Sequence, residues 1–205
     1  MIGAGQRSDG RPSRAAVLRE IRALREAADK ASYAESRGMF RDGDVVLFRG
    51  RGIMSQLIRL LTTSPYSHVG LVYLFAGRVY SLEAVGNGVR LILMSEVLRR
   101  YHGGIDYYEV PRAQPAQRAG AIAFCFQQLG RLYDRPGLLR FGAAILFGHK
   151  PARREDQSWF CSELVAAAYR KQGLPLVAER PTYTSPADLA LSPELKLKLV
   201  FKREG

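Results

Sequence analysis

The chain has 205 residues, of which 47% are hydrophobic and 10% aromatic. This length and composition exclude a disordered protein and favour one globular domain with a short appendage over two independent cores. The formal net charge of +12 favours anionic partners, such as nucleic acid, a membrane surface with acidic headgroups, or an anionic wall polymer. Because the sequence has no zinc-finger spacing, Gly-rich phosphate loop or RNA-binding strand motif, we expect no specific nucleic-acid partner.

The N-terminal residues 1–37 are predicted to form a flexible tail and an amphipathic helix, ahead of a main domain at 38–205. Residues 1–12 are rich in Gly and Arg and lack the apolar core of a secretory signal peptide. From Ser13 to Ser36, hydrophobic residues recur at three- and four-residue steps, which predicts a helix capped by Ser13. Such a helix packs on the domain surface, or it binds a membrane surface or a partner.

No apolar run approaches the ~18 residues that a membrane-spanning helix requires. The longest candidate, 138–147, is too short and contains Arg140. It fits either a buried helix or a lid that faces lipid. In the absence of a signal peptide we predict a cytoplasmic protein, with non-classical export as the alternative.

The main domain mixes strands and helices without regular βαβ alternation, which favours an α+β fold. Hydrophobic alternation and turn residues predict strands at 45–48, 68–74, 79–85, 89–93, 105–110 and 198–202. Helical periodicity predicts helices at 53–61, 95–100, 117–129 and from the region of Cys161 to about Gly173.

Cys161 stands in the first turn of a predicted helix that Asp156, Gln157 or Ser158 could cap. A thiol attacks only as thiolate, and both a helix N-terminus and a nearby imidazole favour that form. The ordinary alternative is a small buried residue, which is also how we interpret Cys125. Nothing in the spacing requires a disulfide, so two free thiols are expected.

His68 and Glu83 lie on two strands predicted to form a hairpin. With a two-residue turn at Ala76-Gly77, Glu83 is the diagonal neighbour of His68 on the same face; with a four-residue loop the two are directly opposite. A three-residue loop without a bulge would separate them. Two of these three registers therefore place a carboxylate where it can orient the imidazole, while a structural histidine and a solvent-facing glutamate remain the alternatives. No ligand spacing indicates a metal, and no cofactor is predicted.

Several motifs together resemble the YiiX/YebB-like family, a circularly permuted branch of the NlpC-type papain-like cysteine hydrolases. They are Asp42-Gly43-Asp44-Val45-Val46, the run from Ser64 to Val72, Glu83-Ala84, Cys161-Ser162-Glu163-Leu164-Val165 and Ser185-Pro186-Ala187-Asp188-Leu189. The resemblance covers roughly residues 38 to 202. Its order of histidine, acid and then cysteine is the reverse of that in papain.

The resemblance implies a permuted papain-like fold, with a small, partly closed antiparallel sheet packed against the helix that carries the cysteine. It also implies that Cys161 is the nucleophile, His68 the general base and Glu83 the orienting residue.

Three further residues, Tyr66, Ser67 and Trp159, are predicted to bind substrate. The expected activity is that of an amidase or peptidase acting on a small amide or peptide, including a cell-wall-derived one, through a thioester. The alternatives are a lipid-directed acyltransferase or phospholipase of the lecithin:retinol acyltransferase type, and a non-catalytic binding module.

Overall fold

The computed structural model describes residues 13–51, 55–56, 59, 64–85, 88–129, 161–178 and 184–201. Its strands are β1 (Asp29–Ala31), β2 (Val45–Arg49), β3 (His68–Phe75), β4 (Arg78–Val85), β5 (Gly88–Leu93), β6 (Gly104–Glu109) and β7 (Lys196–Phe201). Its helices are α1 (Arg14–Ala27), α2 (Tyr33–Ser36), α3 (Met94–Arg100), α4 (Pro115–Gln127), α5 (Cys161–Lys171) and α6 (Pro186–Ala190), and a 3₁₀ turn (Arg37–Met39) follows α2.

The seven strands form one sheet in the order β1-β7-β6-β2-β3-β4-β5. All neighbouring pairs are antiparallel except β1 and β7, which are parallel. The predicted α+β class is therefore confirmed. The expectation of partial closure is wrong for the described strands, because β1 and β5 are the two open edges and do not pair with each other.

The N-terminal segment differs from its prediction in length. The helix predicted from Ser13 to Ser36 ends at Ala27, because Asp29–Ala31 instead pair as a strand with Leu199–Phe201 at the edge of the sheet. Val17 and Ile21 on α1 are buried in the main core. The helix and the strand after it thus pack directly on the rest of the fold.

The sheet is covered on both faces, which explains why its central strands read as continuous hydrophobic runs. One face, with Leu47, Leu71 and Leu82, packs against α4 and α5. The other face, with Phe48 and Val72, packs against α3 and against aromatic residues that lie close to the first and last residues of the main domain. Within the described part of the chain, no helix has the length and apolar character needed to span a bilayer.

Side-chain hydrogen bonds to backbone carbonyls hold both ends of α5 in place. The Ser162 hydroxyl donates to the carbonyl of Thr184 at 2.7 Å, and the Tyr169 hydroxyl donates to that of Gly43 at 2.6 Å. Gly43 has a φ of +78°, and a Cβ there would lie 2.4 Å from the Tyr169 hydroxyl. A side chain at position 43 would therefore displace the helix that begins with Cys161.

Candidate active site

The β3–β4 hairpin adopts one of the two registers that bring His68 and Glu83 together. A two-residue turn at Ala76-Gly77, with φ of 48° and 69°, places Gly70 opposite Glu83. Positive φ at both turn residues is typical of a type I′ turn, whose twist matches that of the strands. His68 Nε2 and Glu83 Oε2 are 3.2 Å apart, so the imidazole and the carboxylate are hydrogen-bonded.

Gly70 provides the space in which the Glu83 side chain lies. A Cβ at position 70 would be 3.2 Å from Glu83 Cγ, 3.2 Å from Val46 Cγ2 and 2.2 Å from Ser81 Oγ. Any side chain here would collide with Ser81 and crowd the Glu83 side chain beside it. The absence of a side chain at Gly70 is thus part of how the fold orients Glu83 toward His68.

Cys161 is the first residue of α5 and is only 6% exposed. Its thiol interacts with the His68 imidazole. Burial lowers the pKa of His68, but the interactions of the imidazole with Cys161 and Glu83 outweigh it and raise that pKa to about 10. A proton on His68 is therefore favoured, and the positive end of the α5 dipole would stabilise a negative charge on the Cys161 sulfur.

Glu83 is also paired with a second cation, Arg90, which was not predicted from the sequence. Arg90 on β5 lies directly opposite Glu83, with Nη2 3.3 Å from the same Oε2 that meets His68. Burial raises the pKa of Glu83, but the hydrogen bond and charge of His68, with the charge of Arg90, lower it overall. The glutamate is therefore held ionised. The turn before Gly88 could have indicated this partner, since a two-residue loop there pairs residues 83 and 90.

Two of the three predicted substrate contacts, Tyr66 and Ser67, make hydrogen bonds within the fold. Tyr66 is fully buried, and its hydroxyl donates to Asp106 Oδ2 at 2.7 Å. The Ser67 hydroxyl accepts from the backbone N–H of Gly50 at 3.0 Å. Both bonds fix the segment that leads into His68. Trp159 lies outside the described residues, so substrate contact by Tyr66, Ser67 and Trp159 stays a prediction.

Other predicted features also fall outside the described ranges: the helix cap at 156–158, the apolar segment 138–147 and most of the helix at 53–61. Both cysteines are free. Cys125 is fully enclosed in the core, and burial raises the pKa of its thiol to about 12. Among the described residues, no group of three or more His, Cys, Asp or Glu side chains could hold a metal ion.

The fold and this arrangement of thiol, imidazole and carboxylate are those of a thiol hydrolase. A family model described as permuted papain-like amidase enzyme, YaeF/YiiX, C92 family, matches residues 39–187. The chain belongs to this family, and it is a papain-like thiol hydrolase of the amidase and peptidase kind. The resemblance inferred from the motifs is therefore confirmed.

Two Escherichia coli proteins illustrate the relationship. The chain is 26% identical over 194 residues to the probable lipoprotein peptidase YaeF of strain K12, covering 78% of this chain and 69% of the relative. The crystal structure of metalloprotein yiiX from strain O157:H7 aligns with a TM-score of 0.59 at 20% identity, covering 77% of this chain and 95% of that one. At this identity the second likeness shows the fold alone. The name of the first describes a lipoprotein, so a cytoplasmic location stays a prediction for this chain.

Proposed function

We propose that this protein is an amidase or peptidase that cleaves a small amide or peptide, including one derived from the cell wall, through a thioester on Cys161. The observation that supports the proposal is the position of the His68 imidazole, which interacts with the Cys161 thiol and lies 3.2 Å from the Glu83 carboxylate. Each member lies on a different element, and all three side chains are buried or nearly so. A merely structural histidine has no need of a thiol on one side and a carboxylate on the other.

The proposed reaction begins with the thiolate of Cys161 attacking the substrate carbonyl, while His68 holds the proton taken from the thiol. The C–N bond then breaks as His68 gives that proton to the leaving amine, which leaves an acyl thioester on Cys161. Neutral His68 next takes a proton from water, whose oxygen attacks the thioester. The carboxylic acid leaves, and the proton returns to the Cys161–His68 pair.

Two further groups assist these steps. The backbone N–H of Cys161 is in the first turn of α5, where helix amides have no acceptor within the helix, so it can donate to the oxyanion. Glu83 keeps the His68 ring oriented and stabilises its positive charge. It does not contact the reacting carbonyl, and we therefore expect its loss to reduce turnover less than the loss of His68.

The lipid-directed alternative uses the same thioester with a lipid acyl donor or acceptor. Its supporting feature in the sequence, the apolar segment 138–147, lies outside the described residues. The non-catalytic alternative is not retained, because the family is one of amidase enzymes.

Intact-protein mass spectrometry with a panel of acyl p-nitroanilides and p-nitrophenyl esters tests the proposal. We expect an acyl adduct on Cys161 that hydroxylamine removes. The adduct should be absent in Cys161→Ala and should form about 10²–10⁴-fold more slowly in His68→Ala, the usual contribution of a general base. Cys125→Ala is the matched control and should keep the adduct. Wild-type turnover in His68→Ala, or turnover without any adduct on Cys161, would contradict the mechanism.

A further inference from the structure

A cavity of about 560 Å³ lies beside the catalytic centre, and five arginine side chains line it. The described residues that line the cavity include parts of α1, the end of β2, the residues after α3 and the start of β6. None of the three proposed catalytic residues lines it. The arginines are Arg22, Arg25, Arg49, Arg51 and Arg59. Its size is that of a pocket for a small-molecule ligand.

The positive charge of this cavity is largely unbalanced. Among the described residues, the one carboxylate paired with these arginines is the fully buried Asp106, whose Oδ2 lies 2.7 Å from Arg25 Nε and 3.4 Å from Arg49 Nε. The sequence has no Asp or Glu between Asp44 and Glu83, so the segment that carries Arg49, Arg51 and Arg59 supplies no counter-charge of its own.

Two of the arginines, Arg49 and Arg59, are held in place by contacts with the backbone. A Cβ at Gly104 would lie 1.9 Å from Arg49 Nη2 and 2.4 Å from its Cζ, so the guanidinium rests directly against the glycine backbone. Arg59 Nη1 donates to the carbonyl of Gly50 at 3.3 Å. Arg59 Nε is buried without a hydrogen-bond partner among the described groups, whereas Arg49 Nε has Asp106 Oδ2 at 3.4 Å. A buried donor without an acceptor is costly, and an anion bound beside Arg59 would satisfy it.

We propose that this cavity binds the phosphoryl group of a small ligand. Guanidinium groups pair with phosphate through two parallel hydrogen bonds, and a phosphate monoester carries about −1.5 to −2 charge on three acceptor oxygens. A carboxylate would offset only one of the excess positive charges. The cavity is also far larger than a phosphate ion, and Leu98, Ile105 and Phe201 give it an apolar side. The phosphoryl group is therefore one end of a larger molecule.

The cavity shares a wall with the catalytic centre. Tyr101 lines the cavity and packs edge-on against Phe48, with ring centroids 5.1 Å apart. The Phe48 ring also contacts the His68 ring, again at 5.1 Å between centroids. A ligand anchored by its phosphoryl group can extend past this wall toward Cys161, and the cavity then selects the substrate. This role in substrate selection rests on the proposed hydrolase function.

Calorimetric titration with glycerol 3-phosphate in 150 mM NaCl tests the site, with one triple variant that alters the cavity and one that does not. Arg22→Gln, Arg51→Gln and Arg59→Gln together remove three charges from the cavity and leave both partners of Asp106. Arg78→Gln, Arg99→Gln and Arg112→Gln remove the same charge from exposed arginines elsewhere. We expect saturable binding that weakens at least ~10-fold in the cavity variant and less than ~2-fold in the control.

A second pair of variants tests the geometry rather than the charge. Gly104→Ala should displace the Arg49 guanidinium and weaken binding, while Gly38→Ala, which has no atom within 4 Å of its new methyl group, should not. Thermal unfolding of every variant checks that the fold is kept. Equal losses in both arginine triples would assign binding to net charge alone and would overturn the site.

The source of the phosphoryl group is distinguished by sedimentation with phosphatidic acid vesicles, with phosphatidylcholine vesicles as the control. Cavity-dependent binding to the vesicles alone assigns a lipid headgroup, and binding to glycerol 3-phosphate assigns a soluble ester. Absence of cavity-dependent binding to both probes would overturn the proposal. Acylation of Cys161 is measured on the same wild-type preparation, so that failure of the anion site and failure of the hydrolase function are separately visible.

Discussion

Replacing Glu83 with Gln is expected to lower the pKa of His68 from its value of about 10. The carboxylate lies 3.2 Å from the imidazole and is itself held ionised, so it stabilises the imidazolium directly. A hydrogen bond to a charged group contributes about 1.5–3 kcal/mol, and 1.36 kcal/mol corresponds to one pH unit. The midpoint of the His68 titration should therefore fall by about one to two pH units.

The ¹⁵N chemical shifts of the imidazole ring, followed from pH 5 to pH 11, measure this midpoint. The His68 signals are assigned by their loss in His68→Ala. Cys161→Ser should lower the midpoint by more than Glu83→Gln does, because the charge of Cys161 is the larger of the two raising influences. Glu96→Gln removes a partly exposed carboxylate that is paired with Arg99 and Arg100, and it should leave the midpoint unchanged. A wild-type midpoint near 6.5, or one that Glu83→Gln leaves unmoved, would refute the reasoning.

Two further substitutions test how the fold supports the site. Gly70→Ala should reduce the rate of acylation and destabilise the protein by about 1–3 kcal/mol, because its methyl group overpacks against Ser81 and crowds Glu83. Gly38→Ala should do neither, and equal unfolding midpoints and rates in the two variants would show that Gly70 does not support the site. Asp44→Asn should lower the free energy of unfolding, measured in urea, by about 3–5 kcal/mol. The reason is that Arg118, whose guanidinium lies 2.7 Å from the buried Asp44 carboxylate, would lose its charge partner. A loss below ~1 kcal/mol would show that this ion pair does not hold the sheet to α4.

The contact between His68 and Glu83 could be predicted because it depends on local geometry. Two strands joined by Ala76-Gly77 allow few registers, and most of these place the two side chains on one face. The length of α1 could not be predicted in the same way. Its hydrophobic stripe continues past Ala27, but Asp29–Ala31 find backbone partners on β7, near the other end of the chain. The pairing of β1 with a strand far away in the sequence thus overrides the local helix propensity.

The arginine-lined cavity could not be predicted from the sequence either. Arg25 and Arg49 converge because both pair with Asp106, which is far from each along the chain. Arginines are frequent here, and nothing in their local sequence distinguishes those in the cavity from those on the surface. The excess charge of +12 did indicate an anionic partner, but only the folded arrangement concentrates part of that charge in one place.

The rate of alkylation of Cys161 by iodoacetamide as a function of pH, read by mass spectrometry, tests the central claim most directly. Cys125 is the internal control, since burial raises its pKa to about 12. We expect Cys161 to react at pH 6–7 and this reactivity to fall in His68→Ala, while Cys125 stays unmodified in both. Reaction of Cys161 only above about pH 8.5, as for a free thiol, and with no dependence on His68, would contradict an activated Cys161–His68 pair.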